Sequence, residues 1–380
     1  MKKSIAILIA VLMVVSLAAC GETSQPPPEP GTQSTPAAQS SPAAQSPPPS
    51  PPSETPAAQE TPPVEDESPT FVITDMAGRE VEIPRNPQSL CYTWGGVGSF
   101  IFVLGAQDRL TAVNMPNDLL RFVYPAIEDV GTVGRGRPDL EAIAALEPDI
   151  FFHRAADLET IESVQELGIP SVGVIAENHE DIVEFLSLLG VILGLEERAA
   201  EVIAIYSDTL ERAMALVADI PEADKKTAIV MGSELGRVAH AEMIQSMLIE
   251  AAGGINSAAV DPEVTFTGDA WTTVGVEKVF AWDPDYIFVT NNWNNEYSVD
   301  DILSDRTWAN LKSVREGNVI QVGSDMDSWE FPGVSIALGA LWMVHTMYPE
   351  RLSRAELETA VAEFYKALYD VDLTPEILGY

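Results

Sequence analysis

From Thr70 onward the chain carries two hydrophobic periods in turn. FVITDMAGREVEIP (71–84) alternates apolar and polar residues on either side of Ala77-Gly78, which predicts a β-hairpin. Ser89–Tyr92 reads as a short strand, and Thr93-Trp94-Gly95-Gly96 as a turn into a helix through Leu104. Leu140–Leu146 and Leu158–Leu167 carry helical patterns. Asp149–Phe152 and Ser171–Ile175 are short apolar runs of strand length. Such alternation predicts an α/β lobe around a mainly parallel sheet.

The pattern then changes. Asp181–Leu193 and Glu196 to about Asp219 are helical. The second has apolar positions at Ala199, Val202, Ile203, Ile205, Tyr206, Leu210 and Met214, with no Gly or Pro inside it. It would run about 36 Å, long enough for a rigid spine between two α/β regions. Strand and helix alternate again afterwards: strand Thr227–Met231, helices Met243–Ala252 and Val276–Trp282, strands Tyr286–Thr290 and Val319–Val322, then C-terminal helices. LEAIAALEPDIFF from Leu140 and VEKVFAWDPDYIF from Val276 align without gaps, pairing Glu141 with Glu277, Pro148-Asp149 with Pro284-Asp285 and Phe152 with Phe288. Each copy predicts a helix, a turn in which Pro ends the helix and Asp bonds its own backbone, and a buried strand. Two copies flanking a long helix predict an α/β fold of two Rossmann-like lobes joined by one α-helix, with a ligand cleft between them. The expected division is 70–195, 196–220 and 221–380.

The N-terminus adds an address. Lys2 and Lys3 precede an apolar run, Ile5–Val15, too short to span a membrane, and Leu17-Ala18-Ala19-Cys20 follows. This predicts a lipoprotein signal peptide over 1–19, with Cys20 lipidated and the protein held on the extracytoplasmic face of the cell membrane. Residues 20–69 hold about half of the chain's 28 prolines among Ser, Ala, Gln and Thr, so they read as a disordered or polyproline-like spacer. With Cys20 lipidated, Cys91 has no disulfide partner among the chain's 2 cysteines, and it reads as a small buried strand residue. The remainder carries a formal charge of about −32, a surface that repels nucleic acid and acidic headgroups.

Several segments resemble a known family. TDMAGREVEIP, LGAQDRLTAV from Leu104 and VGTVGRGRPDLEAIAALEPDI from Val130 are similar to substrate-binding lipoproteins of ABC importers for iron complexes, haem and cobalamin, the periplasmic binding proteins with a helical backbone. MLIEAAGGINSA from Met247, W-x-x-V-x-x-E from Trp271 to Glu277, and VGSDMDSW from Val322 look like the cobalamin binders. WEFPGVSIALGALWMVHTMYPERL from Trp329 looks like a subgroup of iron-complex binders. The resemblance covers nearly all of 70–380. It implies capture of a metal chelate (ferric siderophore or related iron complex, haem or cobalamin) and delivery to an ABC permease dimer. It also implies a monomer that is not an enzyme and needs no cofactor, its cargo being an iron- or cobalt-containing chelate. In that family an acidic residue at the place of Glu141 and Glu277 docks on permease arginines. The plainer reading is a carboxylate favoured at a helix N-terminus.

Ligands of parallel α/β lobes lie beyond the carboxyl ends of strands. That rule selects Tyr92, Trp94, Arg135, Arg137, His153 and Arg154 in the first lobe, and Glu234, His240, Asn292, Trp293, Asp327 and Trp329 in the second. The family spacing adds Trp271. Aromatic rings suit a flat chelate and arginines suit its anionic edge. Trp94, Trp271, Trp293 and Trp329 stay open between cleft and core, whereas Trp308 and Trp342 read as core, and Arg137 before Pro138 reads equally as a solvated cation. The four histidines, His153, His179, His240 and His345, leave a bare zinc or manganese binder as the alternative, with His153 or His240 as ligand. Trp94-Gly95-Gly96-Val97-Gly98 follows a strand as phosphate loops do, but lacks both G-x-G-x-x-G and a Walker lysine. No Ser/His/Asp or Cys/His arrangement for catalysis is visible.

Overall fold

The computed structural model describes residues 68–114, 116–134, 137–265, 271–292 and 294–380. The leader, Cys20 and nearly all of the proline-rich stretch lie outside the described residues, as do Arg135 and Trp293. The hairpin forms as expected from β1 (Thr70–Thr74) and β2 (Glu80–Pro84), antiparallel, with Gly78 at φ 77° in its turn. Asp75 is its anchor. One carboxylate oxygen accepts the Ala77 and Arg79 N–H groups, while the other takes the Arg79 guanidinium at 2.7 Å and the Gly173 N–H at 2.9 Å. The hairpin is thereby fastened to the sheet edge.

The first sheet comprises β3 (Leu90–Tyr92), β4 (Leu110–Val113), β5 (Gly131–Thr132), β6 (Ile150–Arg154) and β7 (Ser171–Val174), all parallel, in the order β5-β4-β3-β6-β7. Its helices are α1 (Gly96–Val103), α2 (Asp118–Val123), α3 (Leu140–Leu146), α4 (Leu158–Glu166) and α5 (His179–Leu193). Asn117, Asp139, Asp157 and Asn178 cap the last four of these, each side chain accepting an N–H three residues on.

The long helix α6 (Glu196–Val217) has 22 residues, about 33 Å at 1.5 Å per residue. Ala199, Val202, Tyr206, Leu210, Ala213 and Val217 form its buried stripe, packed on α5 on one side and on a C-terminal helix, Ile336–Met347, on the other. Met214, assigned to that stripe from sequence, is 51% exposed, since the stripe passes through its neighbour Ala213 instead. One hydrophobic cluster runs through both sheets by way of this helix.

The second sheet comprises β8 (Thr227–Met231), β9 (Arg237–Ala239), β10 (Ile255–Asn256), β11 (Trp271–Thr273), β12 (Tyr286–Val289) and β13 (Val319–Gln321). Its order is β11-β9-β8-β12-β13, with β10 beside the start of β8; β9 and β11 are antiparallel. The helices are α7 (Ile244–Ala251), α8 (Val276–Trp282), α9 (Val299–Ser304), α10 (Lys312–Glu316), α11 (Ile336–Met347), α12 (Arg354–Tyr369) and α13 (Pro375–Leu378). Trp308 and Trp342 are both core residues, as expected.

The internal repeat is structural: α3–β6 and α8–β12 are the same unit. Each helix ends on a left-handed residue, Glu147 or Asp283, ahead of the Pro-Asp pair. The aspartate does not close its own turn, as the sequence suggested. Asp149 accepts the Gln88 and Ser89 N–H groups, and Asp285 the Thr227 N–H, so each pins the start of the neighbouring central strand.

A candidate ligand site at the strand ends

The strand ends of the first lobe gather an aromatic and a cation. Trp94 follows β3 by two residues and is half-buried. Arg154 closes β6, its guanidinium 6.0 Å above the Trp94 ring and 3.5 Å from the carboxylate of Glu177, which follows β7. Burial pushes the Glu177 carboxyl above its ordinary range against the pull of Arg154. The second lobe contributes Phe331, 40% exposed, whose ring lies 3.9 Å from where a side chain on Gly95 would begin. A Cβ on Gly96 would stand 3.1 Å from the Pro332 carbonyl, and one on Gly98 would run into the Tyr92 hydroxyl. The glycine run after Trp94 is therefore a close-approach surface, where a loop of the second lobe lies against α1. Two further hydrogen bonds cross at this point: Asn117 Nδ2 to Asp327 Oδ1, 3.1 Å, and Leu119 N–H to Met326 O, 3.0 Å.

In the second lobe, Trp271 lies over Gly232, just beyond β8; a Cβ there would be 2.9 Å from the indole. Trp271 shares a groove with Glu277, Val274 and Lys278. Asn291 follows β12 and bonds Ser324 O and Asp325 Oδ1, both at 3.0 Å; Asn292 beside it is half-buried. Glu234 sits exposed on the β8–β9 turn, 3.7 Å from the Arg237 guanidinium, and His240 is half-buried at the exit of β9. Arg137 is exposed.

Four residues selected from sequence are instead part of the interior. Tyr92 and Trp329 are fully buried, Tyr92 under α1 and Trp329 donating its indole N–H to the Tyr365 hydroxyl at 2.7 Å. Asp327 is buried and accepts from that hydroxyl at 2.8 Å; burial raises its carboxyl above the usual range. His153 spends both ring nitrogens internally, Nδ1 on Thr93 Oγ1 at 2.6 Å and Nε2 on Asp157 Oδ2 at 2.9 Å. Those bonds tie the ends of β3 and β6 to the α4 cap and leave no nitrogen for a metal. Among the described residues no group of three or more His, Cys, Asp or Glu is placed to hold a metal ion. Cys91 is buried in β3, its thiol pushed up to about 12, which fits an inert packing residue. Sequence reasoning missed Phe331 and Glu177. Glu177 follows a strand that was recognised, so the same rule applied to β7 would have found it.

Two α/β lobes joined by a helix, with Trp94, Arg154 and Phe331 near the point where the lobes meet, form the fold of periplasmic solute-binding proteins. Residues 91–326 match the model for periplasmic binding proteins, and the chain belongs to that family. It is 23% identical over 342 residues to the molybdate-binding protein MolA of Haemophilus influenzae, covering 80% of this chain and 92% of MolA. It is 24% identical over 222 residues to the Fe(3+)-citrate-binding protein YfmC of Bacillus subtilis, covering 57% of this chain and 67% of YfmC. Among solved structures, MolA with molybdate bound superposes with a TM-score of 0.71 at 19% identity, covering 80% of this chain and 99% of that one. Helicobacter pylori CeuE with Ni(II) bound gives 0.70 at 16% identity, covering 80% and 97%. Among the described residues no helix is long and apolar enough to cross a membrane.

Proposed function

We propose that this protein captures an anionic metal chelate, of the ferric citrate or ferric siderophore kind, and delivers it to an ABC-transporter permease. The observation that carries this reading is Arg154 lying over Trp94, with Phe331 exposed from the opposite lobe. The rings cover the apolar face of a chelate, and the guanidinium meets carboxylates or hydroxamate oxygens at its edge. The two named relatives extend the same chemistry from an iron chelate to an oxyanion. A bare oxyanion would lean on Arg154 alone, whereas haem or cobalamin would lean on the rings, Trp271 included. Titrating ferric citrate, a ferric hydroxamate, haem, cobalamin, molybdate and zinc separates these cargoes. Arg154→Ala should weaken ferric citrate by about 2 kcal/mol, roughly thirtyfold, and leave neutral cobalamin nearly unchanged. Trp94→Ala should weaken chelates by about 1 kcal/mol and molybdate hardly at all. If Arg154→Ala holds every anionic cargo as tightly as the parent, the site lies elsewhere.

Delivery is assigned to Glu141 and Glu277, exposed in the first turns of the repeat helices α3 and α8. The tether is assigned to Cys20 on the strength of the LAAC sequence. Cys20→Ser should release the protein from the membrane or leave the leader uncleaved; unchanged mass and unchanged membrane retention count against lipidation.

A further inference from the structure

Asn291, at the exit of β12, is gripped by one loop of the second lobe. Its N–H donates to Glu330 Oε1 at 2.6 Å, and its carbonyl accepts from Ser328 Oγ at 2.8 Å. The gripping loop also carries Met326 and Asp327, which bond the first lobe, and Phe331, which packs beside Gly95. Glu330 thus stands between the exit of β12 and the meeting point of the lobes. It is 3% exposed, and its second oxygen, Oε2, has no hydrogen-bond partner among the described residues. Gln245 of α7 donates to the Glu330 carbonyl at 2.9 Å, and its own side-chain oxygen is also buried without a donor. A charged, half-satisfied carboxylate is costly in such a place, and a proton on Oε2 removes the charge. Burial pushes the Glu330 carboxyl up to about 7, with its own N–H and the Asn291 N–H opposing and the charge of Asp327 adding to the rise. Around it, β12 presents the neutral Asn291, α7 the neutral Gln245, and α12 presents Tyr365 to Asp327 rather than to Glu330.

We propose that Glu330 is a positioning residue of the ligand cleft: ionised, it clamps the backbone of Asn291 and fixes the Asn291–Asn292 turn against the Phe331 side, and protonated, it loosens that clamp. Hydrogen bonds to an ionised acceptor are about twice as strong as neutral ones, which sets the direction. Ligand is held more firmly above neutrality and released more readily below it. The inference rests on the cleft assignment above, so its test has one arm that needs no ligand.

Amide exchange at Asn291 in the free protein, expressed as protection relative to Glu330→Gln at the same pH, should rise about three- to tenfold between pH 6 and pH 8. Ser328→Ala removes the other grip without touching the charge, so it should lower protection at both pH values and keep the pH response. For ferric citrate and molybdate, the parent-to-Glu330→Gln affinity ratio should rise by a similar factor over the same interval. Equal protection in parent and Glu330→Gln at pH 6 and pH 8 overturns the clamp. A pH-dependent clamp with a flat affinity ratio for both probes overturns its link to the ligand and leaves the clamp standing. Loss of both probes in Arg154→Ala but not in Glu330→Gln keeps the cleft assignment separate from either result.

Discussion

Lysine at both Glu141 and Glu277 should reduce import to background while ligand affinity stays within a few-fold of the parent. The two carboxylates occupy the same register of a repeated unit, one per lobe, in the first turn of seven-residue helices that each hand the chain to a central strand. Both are exposed. The neighbouring Lys278 is engaged by Asp261 at 2.7 Å and Glu263 at 2.6 Å rather than by Glu277. A two-fold permease presenting a cation to each lobe would form two similar ion pairs. Interfacial charge pairs of this kind contribute about 1.5–7 kcal/mol, and reversal converts each into repulsion. The plainer role, a carboxylate at a helix N-terminus, is worth only about 0.3–1 kcal/mol per site. Reversal should therefore cost a few degrees of melting temperature at most, and single variants should keep part of the transport. Vesicle uptake and ligand titration of the same variants measure the two effects apart; full uptake by the double variant removes the docking role.

Much of this architecture was written in the periodicity. The hairpin and α6 follow from the 2 and 3.6 periods, because each buries a regular face, and the strand after each Pro-Asp turn follows from an unbroken apolar run buried on both sides. The β9 and β11 edge was not legible: RVA and WTT are three-residue strands without the apolar run that marked β3. At the strand ends, the rule selected Trp94, Arg154 and Asn292, which the fold leaves half-buried or exposed there, since it fixes the position of a residue along the sheet. It says nothing about side-chain direction. β3 ends at Tyr92, which turns under α1, while Trp94 lies past the strand, no longer bound by its alternation, and stays half-exposed. His153 and Asp327 misled for a related reason: polar residues near a cleft also serve as the internal fasteners that shape it. Phe331 left no trace, because an exposed aromatic on a loop and a buried one read alike in sequence.

The second large effect concerns one of those fasteners. Asp327→Ala should destabilise the protein by about 2–4 kcal/mol, the scale of stranding one buried and one half-buried donor. The carboxylate ends a chain of hydrogen bonds in which Trp329 Nε1 donates to the Tyr365 hydroxyl and that hydroxyl donates to Asp327 Oδ2. Its other oxygen takes the Asn117 amide from the first lobe, where Asn117 also caps α2 through the Leu120 N–H. Removing the acceptor leaves the buried Tyr365 hydroxyl and the half-buried Asn117 amide without it. It also cuts the Asn117–Asp327 hydrogen bond, leaving Leu119 N–H on Met326 O to join the start of α2 to the loop carrying Phe331. Tyr365→Phe should cost about 1–3 kcal/mol, because it takes the acceptor from the buried Trp329 indole N–H and one donor from Asp327, which keeps Asn117. Denaturant melts give both values. Asp327→Asn separates a fastener from a ligand contact: it keeps the shape and one acceptor, so ferric citrate affinity should stay within a few-fold while stability falls. A variant with parental stability and a tenfold or larger loss of affinity would show that Asp327 touches the ligand after all.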